Sequence, residues 1–333
     1  MIPYLDAGLL SSALSYSTLI PALRDAFRTG AEAPPRQVYP ISPVNDAVLL
    51  LMPVWQPERH MGVKVVTVAP HNARNQLPTV HSIFMLFDSA TGAPICLMDG
   101  EELTLRRTAA ASALASTYLS RADSSQLLVI GTGSLAPYMA AAHCSVRPVR
   151  TVTVWGRNAD SAARTADLLR QQHGADGVAV QVAGDLEAAV GSADIISCAT
   201  TSTVPIVQRR WVRSGAHVDL VGGFRPTMRE ADDALMGDAS VFVDTYAGAL
   251  AEAGDLLQPM QTGRLAREAI KAELADLCAG RHPGRTDAAQ ITLFKSVGAA
   301  LEDLCGADLA WAFHRHGASR DGPGAALKPS CPV

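Results

Sequence analysis

Residues 127–143 read LLVIGTGSLAPYMAAAH, where an apolar run ends at two closely spaced glycines and an alanine-rich segment follows. The apolar run predicts a buried β-strand, and the alanine-rich segment predicts a helix that begins close to the turn. A second apolar run, TVTVW at 151–155, comes next, and helix-like and strand-like segments alternate through residues 158–245. This alternation predicts an α/β fold with a doubly wound parallel sheet of the Rossmann type.

The glycine turn itself, GTGSLA at 131–136, fits the pattern G-x-G-x-x-A. Gly131 permits a tight turn, and Gly133 allows the backbone to approach a pyrophosphate. Ser134 and Leu135 lie at the start of the following helix, whose free N–H groups attract phosphate. With a strand before it and a helix after it, the turn predicts a dinucleotide site.

The residues after the second strand, WGRN at 155–158, indicate which dinucleotide is bound. NAD sites usually have an acid here for the ribose 2′-hydroxyl, whereas NADP sites present an arginine to the 2′-phosphate. No acid is present, and Arg157 and Asn158 stand in its place, which predicts NADP(H) over NAD(H). The later turns at Thr200 and Val221 are expected at the same sheet edge, facing the same cofactor.

The first 120 residues show a different pattern of predicted secondary structure. Four short strand-like runs with brief connections predict an antiparallel meander, and a long helix then spans 101–121. The four runs are AVLLLMPV at 47–54, GVKVVTVA at 62–69, HSIFMLFD at 81–88 and APICLMD at 93–99. We therefore predict an α+β domain over 1–120 and a Rossmann domain over 121–305.

The C-terminal part of the chain is expected to return to the first domain through a helix at about 306–316. The stretch QITLFKSVGAALEDLCGADLAWAF, residues 290–313, reads as a single amphipathic helix. Residues 317–333, rich in Gly and Pro, predict a disordered tail.

Composition excludes several classes of protein. The 333-residue chain carries a net charge of −4 with scattered basic residues, which predicts no nucleic-acid or anionic membrane surface. The N-terminus has no signal-peptide pattern, and no apolar stretch is long enough to span a bilayer. The six cysteines form no CxxC pair, so we expect reduced thiols, no metal site and a cytoplasmic location.

Three basic residues of the first domain, Arg36, Lys64 and Arg107, need an explanation. Alternation in GVKVVTV places Lys64 opposite Val63 and Val65. The residues alone therefore slightly favour a solvated outer face for Lys64 and ordinary surface charges for the two arginines. If the three converge, they form a carboxylate clamp.

An ordered set of motifs resembles the ornithine cyclodeaminase/mu-crystallin family, most closely its pyrroline-2-carboxylate (ketimine) reductase members. The motifs are GVKVVTV, LPTVHS, LMDGEELTLRRTAAASALAS, VIGTGSLA, VWGRN, CATTSTVP, GAHVDLVGGFRPTMREAD and FKSVGAALEDL. The resemblance implies a homodimer in which an N-terminal substrate and dimerisation domain precedes the Rossmann domain. It covers nearly all of the chain up to about residue 315.

The resemblance also implies roles for individual residues. Arg36 and Lys64 match residues that bind the substrate carboxylate, and Arg107 matches an arginine near both carboxylate and cofactor. Thr79 and Ser296 match cofactor contacts, as do the glycine turn and Thr200. These implied roles outweigh the surface reading of the three basic residues.

Two positions depart from the cyclodeaminase pattern. Phe224 stands where ornithine cyclodeaminase carries an aspartate that serves the substrate amine, and Leu135 replaces a common glutamine. An apolar ring accepts no proton, so Phe224 is expected to pack against an apolar substrate ring.

We therefore expect an NADPH-dependent oxidoreductase acting on C=N groups, with Lys64 as a candidate proton donor. It would reduce Δ1-pyrroline-2-carboxylate to L-proline, with Δ1-piperideine-2-carboxylate, giving L-pipecolate, as a second candidate substrate. One alternative is ornithine cyclodeaminase, which forms L-proline and ammonia from L-ornithine with bound NAD. The other is a non-catalytic NADP-binding protein like the crystallin relatives.

Overall fold

The computed structural model describes residues 2–42, 44, 46–75, 77–173 and 177–320, which form two β-sheets with helices packed against them. The strands are β1 Tyr4–Leu5, β2 Gln37–Ser42, β3 Ala47–Trp55, β4 His60–Val68, β5 Val80–Asp88, β6 Pro94–Asp99, β7 Gln126–Ile130, β8 Thr151–Trp155, β9 Ala179–Val182, β10 Ile195–Cys198, β11 His217–Leu220, β12 Ser240–Val243, β13 Ile270–Glu273 and β14 Thr292–Lys295. The helices are α1 Ala7–Ala13, α2 Tyr16–Thr29, α3 Gly100–Leu119, α4 Leu135–Val146, α5 Ala159–His173, α6 Leu186–Ser192, α7 Asp233–Asp238, α8 Tyr246–Glu252, α9 Gly254–Gln261, α10 Leu274–Cys278 and α11 Ala300–Arg320.

The first sheet has six strands in the order β1-β6-β5-β4-β3-β2. Strands β2 to β6 are antiparallel neighbours, which confirms the predicted meander, and the two-residue β1 adds to β6 in parallel. One face of the sheet, carrying Met52, Phe84 and Met98, packs against α3 and α11, and α2 packs on these two helices in the same apolar core. Lys64 pairs with Met52 and Phe84 across the strands, so it lies on this inner face.

The second sheet has eight parallel strands in the order β13-β12-β14-β11-β10-β7-β8-β9. The chain adds β8 and β9 on one side of β7 and then returns to add β10 on the other. The glycine turn after β7 therefore lies at the point where strand order reverses, where open α/β sheets bind their ligands. This arrangement confirms the predicted α/β fold class, a Rossmann-type sheet beside an α+β domain.

Helix α3 joins the two halves of the molecule. Asp99 caps its start by accepting a hydrogen bond from the backbone N–H of Glu102 at 2.8 Å. Its buried alanines allow close packing against α4 on one side and α2 on the other. The helix therefore fixes the position of the first sheet relative to the glycine turn.

The C-terminal part of the chain differs from the sequence-based expectation. The single helix predicted over 290–313 is wrong in its first part, because 292–295 form β14, a fully buried strand between β11 and β12. Gly298, with φ +87°, separates this strand from α11. Helix α11 packs on the first sheet, begins at Ala300 and includes 317–320 of the predicted tail; residues 321–333 lie outside the described residues.

The domain division at 120 and 305 stays a prediction. Among the described residues, no helix is both long and apolar enough to cross a membrane.

Candidate active site

A groove opens at the carboxyl ends of β7, β8 and β10. Gly131 has φ +123°, and a Cβ atom there would lie 2.5 Å from the carbonyl oxygen of Ala199. Only glycine fits this turn without strain. A Cβ on Gly133 would meet nothing within 4 Å, so a ligand can approach its backbone. The groove encloses about 540 Å³, and its lining includes Thr132, Gly133, Trp155, Arg157, Asn158, Thr200, Thr201 and Ser202.

Arg157 and Asn158 occupy the end of β8, as the sequence predicts. The side-chain oxygen of Asn158 accepts a hydrogen bond from the backbone N–H of Ser161 at 2.8 Å and so caps α5. Arg157 is exposed and forms no ion pair within the described ranges. Its guanidinium is therefore available to an anionic group in the groove.

A second cavity, of about 410 Å³, lies between the inner face of the first sheet, α3 and the loops after β10 and β11. It shares Ala199, Thr200 and Thr201 with the groove, so the two spaces are continuous. Its apolar lining includes Leu50, Met52, Val66, Leu105, Leu135, Val221 and Phe224. Its basic lining residues include Arg36, Lys64 and Arg107, which the fold thus brings together.

Lys64 and Arg107 are buried, with side-chain exposures of 3 % and 5 %, so the surface reading of both residues is wrong. The Lys64 Nζ lies 2.8 Å from Oδ2 of Asp303, donates to Oδ1 of Asp303 at 3.0 Å and to the Thr104 hydroxyl at 3.3 Å. Arg107 donates through Nε to the same Asp303 Oδ1 at 3.0 Å and through Nη1 to Glu302 at 2.5 Å. Both cations are held by the first turn of α11.

Burial changes the proton affinities of this cluster. It lowers the pKa of Lys64 to about 8, with Arg107 acting in the same direction and Asp303 against it. Burial also raises the pKa of Glu302 to about 7, although the Arg107 guanidinium opposes this rise. At neutral pH the ammonium of Lys64 is therefore both charged and more acidic than an ordinary lysine.

Arg36, which precedes β2, is half-buried rather than a free surface charge. Its Nε lies 2.8 Å from Oε1 of Glu252 on α8, and its Nη2 donates to the carbonyl oxygens of Val297 and Gly298 at 3.1 and 3.3 Å. These contacts hold the guanidinium against the loop that follows β14. Because Gly298 also packs against Arg107, one loop positions both arginines.

The loops after β10 and β11 bring Thr200, Val221 and Phe224 to the second cavity. Thr200 also lines the groove, whereas Val221 is not among the groove residues, so its role as a cofactor contact stays a prediction. The Thr200 hydroxyl donates to Glu230 at 2.8 Å, so this hydroxyl proton is already committed within the protein. Phe224 is 38 % exposed, and the Arg225 guanidinium carbon lies 5.8 Å from its ring centre. Position 224 therefore presents an apolar ring to the cavity.

Two of the implied cofactor contacts, Thr79 and Ser296, are not themselves among the lining residues of these two cavities, although each is followed by a residue that lines the second. Thr79 precedes β5, and its carbonyl oxygen accepts a hydrogen bond from the N–H of Ala69 at 2.8 Å. Ser296 is 4 % exposed, and its N–H donates to the carbonyl oxygen of Leu220 at 3.1 Å. Their roles stay predictions.

Reasoning from the sequence did not identify the acidic partners of the three basic residues. They are Asp303 and Glu302 on α11 and Glu252 on α8. Asp244 instead holds the loop after β14, because its Oδ2 accepts from the N–H groups of Val297 and Gly298 at 2.7 Å each. The acids Glu302 and Asp303 of ALED at 300–303 are visible in the sequence, but that stretch predicts only an amphipathic helix and does not show that these acids are buried. A buried cation requires a nearby anion, so Lys64 was the signal that could have identified them.

Comparison with known proteins places this arrangement in a family. The model of the ornithine cyclodeaminase/mu-crystallin family matches residues 9–312. The chain belongs to this family. The resemblance seen in the sequence motifs is thereby confirmed.

Members of the family with assigned names are similar over most of the chain. The Δ(1)-pyrroline-2-carboxylate reductase of Colwellia psychrerythraea is 41 % identical over 298 residues, covering 88 % of this chain and 93 % of the relative. The enzyme of the same name from Paracoccus denitrificans is 36 % identical over 304 residues, covering 90 % and 93 %.

Solved structures share the fold of this family member. The Thermococcus litoralis Δ(1)-pyrroline-2-carboxylate reductase, in complex with NADH and L-proline, superimposes with a TM-score of 0.89 at 33 % identity, covering 95 % of this chain and 98 % of that one. An archaeal alanine dehydrogenase dimer with bound NAD gives a TM-score of 0.86 at 26 % identity, covering 98 % and 99 %.

Proposed function

We propose that this chain is an NADPH-dependent reductase of cyclic imino acids, acting on Δ1-pyrroline-2-carboxylate and on its six-membered homologue Δ1-piperideine-2-carboxylate. The observation that carries the proposal is the second cavity, which joins Arg36 and Lys64 to an apolar lining that includes Phe224. A cyclic imino acid has one carboxylate and an otherwise apolar ring, which matches this division. The names of the reductase relatives from two bacteria support the same chemistry.

The groove beside this cavity fits a nicotinamide dinucleotide. Gly131 and Gly133 leave the backbone of the turn open, and Thr200 and Thr201 line both spaces. Relatives with similar folds carry NADH or NAD, which supports a nicotinamide cofactor. The preference for NADPH rests on the unpaired Arg157 and on the lack of an acid in 155–158. When bound, the reduced cofactor would supply the hydride for the imine carbon.

The basic residues would hold the substrate carboxylate. Arg36 is restrained through Nε and Nη2, which leaves Nη1 as its remaining donor, and Lys64 directs hydrogen bonds to Asp303 and Thr104. A third N–H of the ammonium remains for the substrate. Since both cations are fixed before substrate binds, little side-chain entropy is lost on orienting the carboxylate.

Lys64 would also promote the reaction by donating a proton to the imine nitrogen. A protonated imine accepts hydride more readily than a neutral one. Burial lowers the pKa of Lys64 to about 8, close to the range in which a general acid operates well near neutral pH. Asp303, 2.8 Å away, keeps the ammonium charged until substrate arrives.

Phe224 argues against ornithine deamination by this chain. A carboxylate at that position would pair with the second amine of ornithine, whereas the ring offers only apolar contact. Burying an unpaired ammonium there would be costly, while the methylene groups of pyrroline or piperideine would gain from the contact.

Steady-state assays that follow NADPH absorbance test the proposal. The purified protein is mixed with Δ1-pyrroline-2-carboxylate or Δ1-piperideine-2-carboxylate, with NADPH and NADH in parallel, and with L-ornithine plus NAD as the competing reaction. We expect NADPH-dependent formation of L-proline or L-pipecolate and no ammonia from ornithine. NADPH binding without turnover of either imine would refute the proposal and favour a non-catalytic binding protein.

We further propose that two copies of the chain associate through the outer face of the first sheet. This face is lined by side chains that alternate with those of the inner face, among them Leu49, Leu51, Val63, Val65, Ile83, Met85 and Leu97. The helices α3 and α11 lie on the opposite face, and Ile83 is 40 % exposed. An apolar patch of this kind on a sheet is typical of a subunit interface, and a related alanine dehydrogenase is a dimer.

Light scattering after size-exclusion chromatography tests the association. The wild-type chain is expected at twice the monomer mass of 35.0 kDa. Ile83→Lys should shift the protein toward monomer, because a charge would be buried in the interface, whereas Leu168→Lys on the exposed side of α5 should not. A monomeric wild-type protein would contradict the proposed interface.

A further inference from the structure

The Glu230 carboxylate joins Thr200, which lines both cavities, to Gly222 in the loop after β11. Its Oε1 accepts hydrogen bonds from the N–H and the hydroxyl of Thr200 at 2.7 and 2.8 Å, and its Oε2 accepts from the N–H of Gly222 at 2.8 Å. Thr200 follows β10 and Gly222 follows β11. Glu230 is fully buried, so these bonds are shielded from water.

The glycine at 222 makes this close approach possible. A Cβ atom there would lie 1.9 Å from the carbonyl oxygen of Thr200 and 2.4 Å from Oε1 of Glu230. Residues 222–230 therefore form a loop whose base is closed by its own last side chain. We call this segment the Phe224 loop, because it carries that ring to the substrate cavity.

Two further buried charged residues, Asp255 and Lys295, hold the backbone around Glu230 in place. Asp255, at the start of α9, accepts through Oδ1 from the N–H groups of Glu230 and Ala231 at 2.7 and 3.0 Å. Lys295, on β14, donates to the carbonyl oxygen of Leu220 at 3.1 Å, and its Nζ lies 3.5 Å from Oδ2 of Asp255. Asp255 and Lys295 are fully buried, so the charge cluster is rigidly enclosed.

We propose that Glu230 is a positioning residue of the active site. Its carboxylate fixes the Phe224 loop relative to Thr200 and so sets the separation at which the cofactor groove and the substrate cavity meet. The proposal rests on the proposed function, because the two spaces are there assigned to NADPH and an imino acid. The hydrogen bonds that the Glu230 carboxylate accepts come from Thr200 and Gly222, so it acts through these two residues.

The Glu230→Gln variant tests this role, because it keeps the size of the side chain and turns one acceptor into a donor. Its NH2 group would face an N–H of Thr200 or Gly222, which breaks one side of the bridge. We expect kcat/KM for the imino acid to fall at least about tenfold, mainly through a higher KM. Glu230→Asp, which retains the acceptors on a shorter side chain, should restore part of the loss.

Hydrogen exchange supplies a readout that does not need turnover. In Glu230→Gln, amides at 200–202 and 222–225 should exchange at least about tenfold faster, while those of β7 should be unchanged. The NADPH dissociation constant should rise as well, since Thr200 lines the groove. Glu268→Gln, an exposed acid far along the chain in a surface turn, is the matched control and should change none of these quantities.

The outcomes separate this proposal from the proposed function. If wild-type protein binds NADPH but reduces no imine, the proposed function fails, and exchange and NADPH binding still decide the role of Glu230. The positioning role is refuted if folded Glu230→Gln shows wild-type KM, NADPH affinity and local exchange. It is equally refuted if exchange rises uniformly over the chain, because Glu230 would then stabilise only the fold. Should Glu230→Gln fail to fold, Glu230→Asp replaces it, because its shorter side chain cannot reach Thr200 and Gly222 as closely. A smaller rise in KM with faster exchange at the same amides is then expected, and wild-type values of both refute the role.

Discussion

Replacing Asp303 with asparagine should move the alkaline limb of the pH–rate profile to lower pH. The proposed reaction needs the ammonium of Lys64, so activity should fall as pH rises through the lysine pKa, which is about 8. Asp303 raises that pKa, against the larger effect of burial. Removing its charge leaves burial, Arg107 and Arg36, all of which favour the neutral amine.

The size of the displacement follows from the separation of the charges. At 2.8 Å between Lys64 Nζ and Asp303 Oδ2, two unit charges interact by about 6 kcal/mol at an effective dielectric constant of about 20. Since about 1.4 kcal/mol corresponds to one pKa unit, the ceiling is about four units. Relaxation and water entry would screen most of this, so we expect the limb to move by at least about one unit.

Initial rates of NADPH oxidation between pH 5.5 and about 9.5, reported as kcat/KM for the free enzyme, measure the limb. Asp308→Asn is the matched control. Asp308 lies on the same helix and pairs with His60 at 2.7 Å, outside the cavity lining, so its loss should leave the limb in place. A limb that stays near 8 in folded Asp303→Asn would show that Lys64 is not the titrating group.

Three further predictions concern the cofactor, the clamp and the pH dependence of stability. Arg157→Asp should raise the NADPH dissociation constant at least about tenfold and the NADH constant much less, as fluorescence titration would show; equal effects contradict the NADPH assignment. Gly298→Ala introduces a side chain at φ +87° and a Cβ atom 2.6 Å from Nη1 of Arg107, so it should lower kcat/KM and destabilise the fold by about 1–3 kcal/mol in urea unfolding; wild-type kinetics would refute the role of this loop. Burial lowers the pKa of His217 well below its usual value, so as pH falls the unfolded chain takes up this proton before the folded chain does. The contribution of this group to the free energy of unfolding is therefore fully present above about pH 6.5. Below that pH it is lost at up to about 1.4 kcal/mol per pH unit. The difference between wild type and His217→Asn in urea unfolding should show that slope between pH 5 and 7, and a parallel pH dependence in the two proteins contradicts it.

Most of the Rossmann half could be predicted, because its signals are local. The turn at Gly131 and Gly133 follows a strand and precedes a helix, and Arg157 stands at the end of the next strand, where the structure places all three on one groove. The short strand β14 could not be recognised in the same way. Its four residues are all buried, so apolar and polar residues do not alternate along it. Periodicity therefore cannot distinguish such a short run from part of the neighbouring helix.

The substrate half was less predictable, because its charges are paired across long distances in the chain. Lys64 on β4 and Asp303 on α11 are 239 positions apart, and only the packing of α11 on the first sheet brings them together. Likewise, Glu252 meets Arg36 only once α8 and the loop after β14 are in place. The resemblance to a family supplied the basic residues, but their acidic partners emerged from the fold.

The misreading of Lys64 has one physical cause that bears on the assembly. Alternation identifies the inner face of a strand only when the outer face is polar. In β4 the valines at 63 and 65 point outward, while the inner face carries a lysine that Asp303 neutralises. A strand with apolar residues on its open side and a paired charge on its closed side inverts the usual pattern. The same inversion places valine, leucine and isoleucine side chains on the outer face of the first sheet. In the proposed dimer a second copy of the chain would shield these side chains from water.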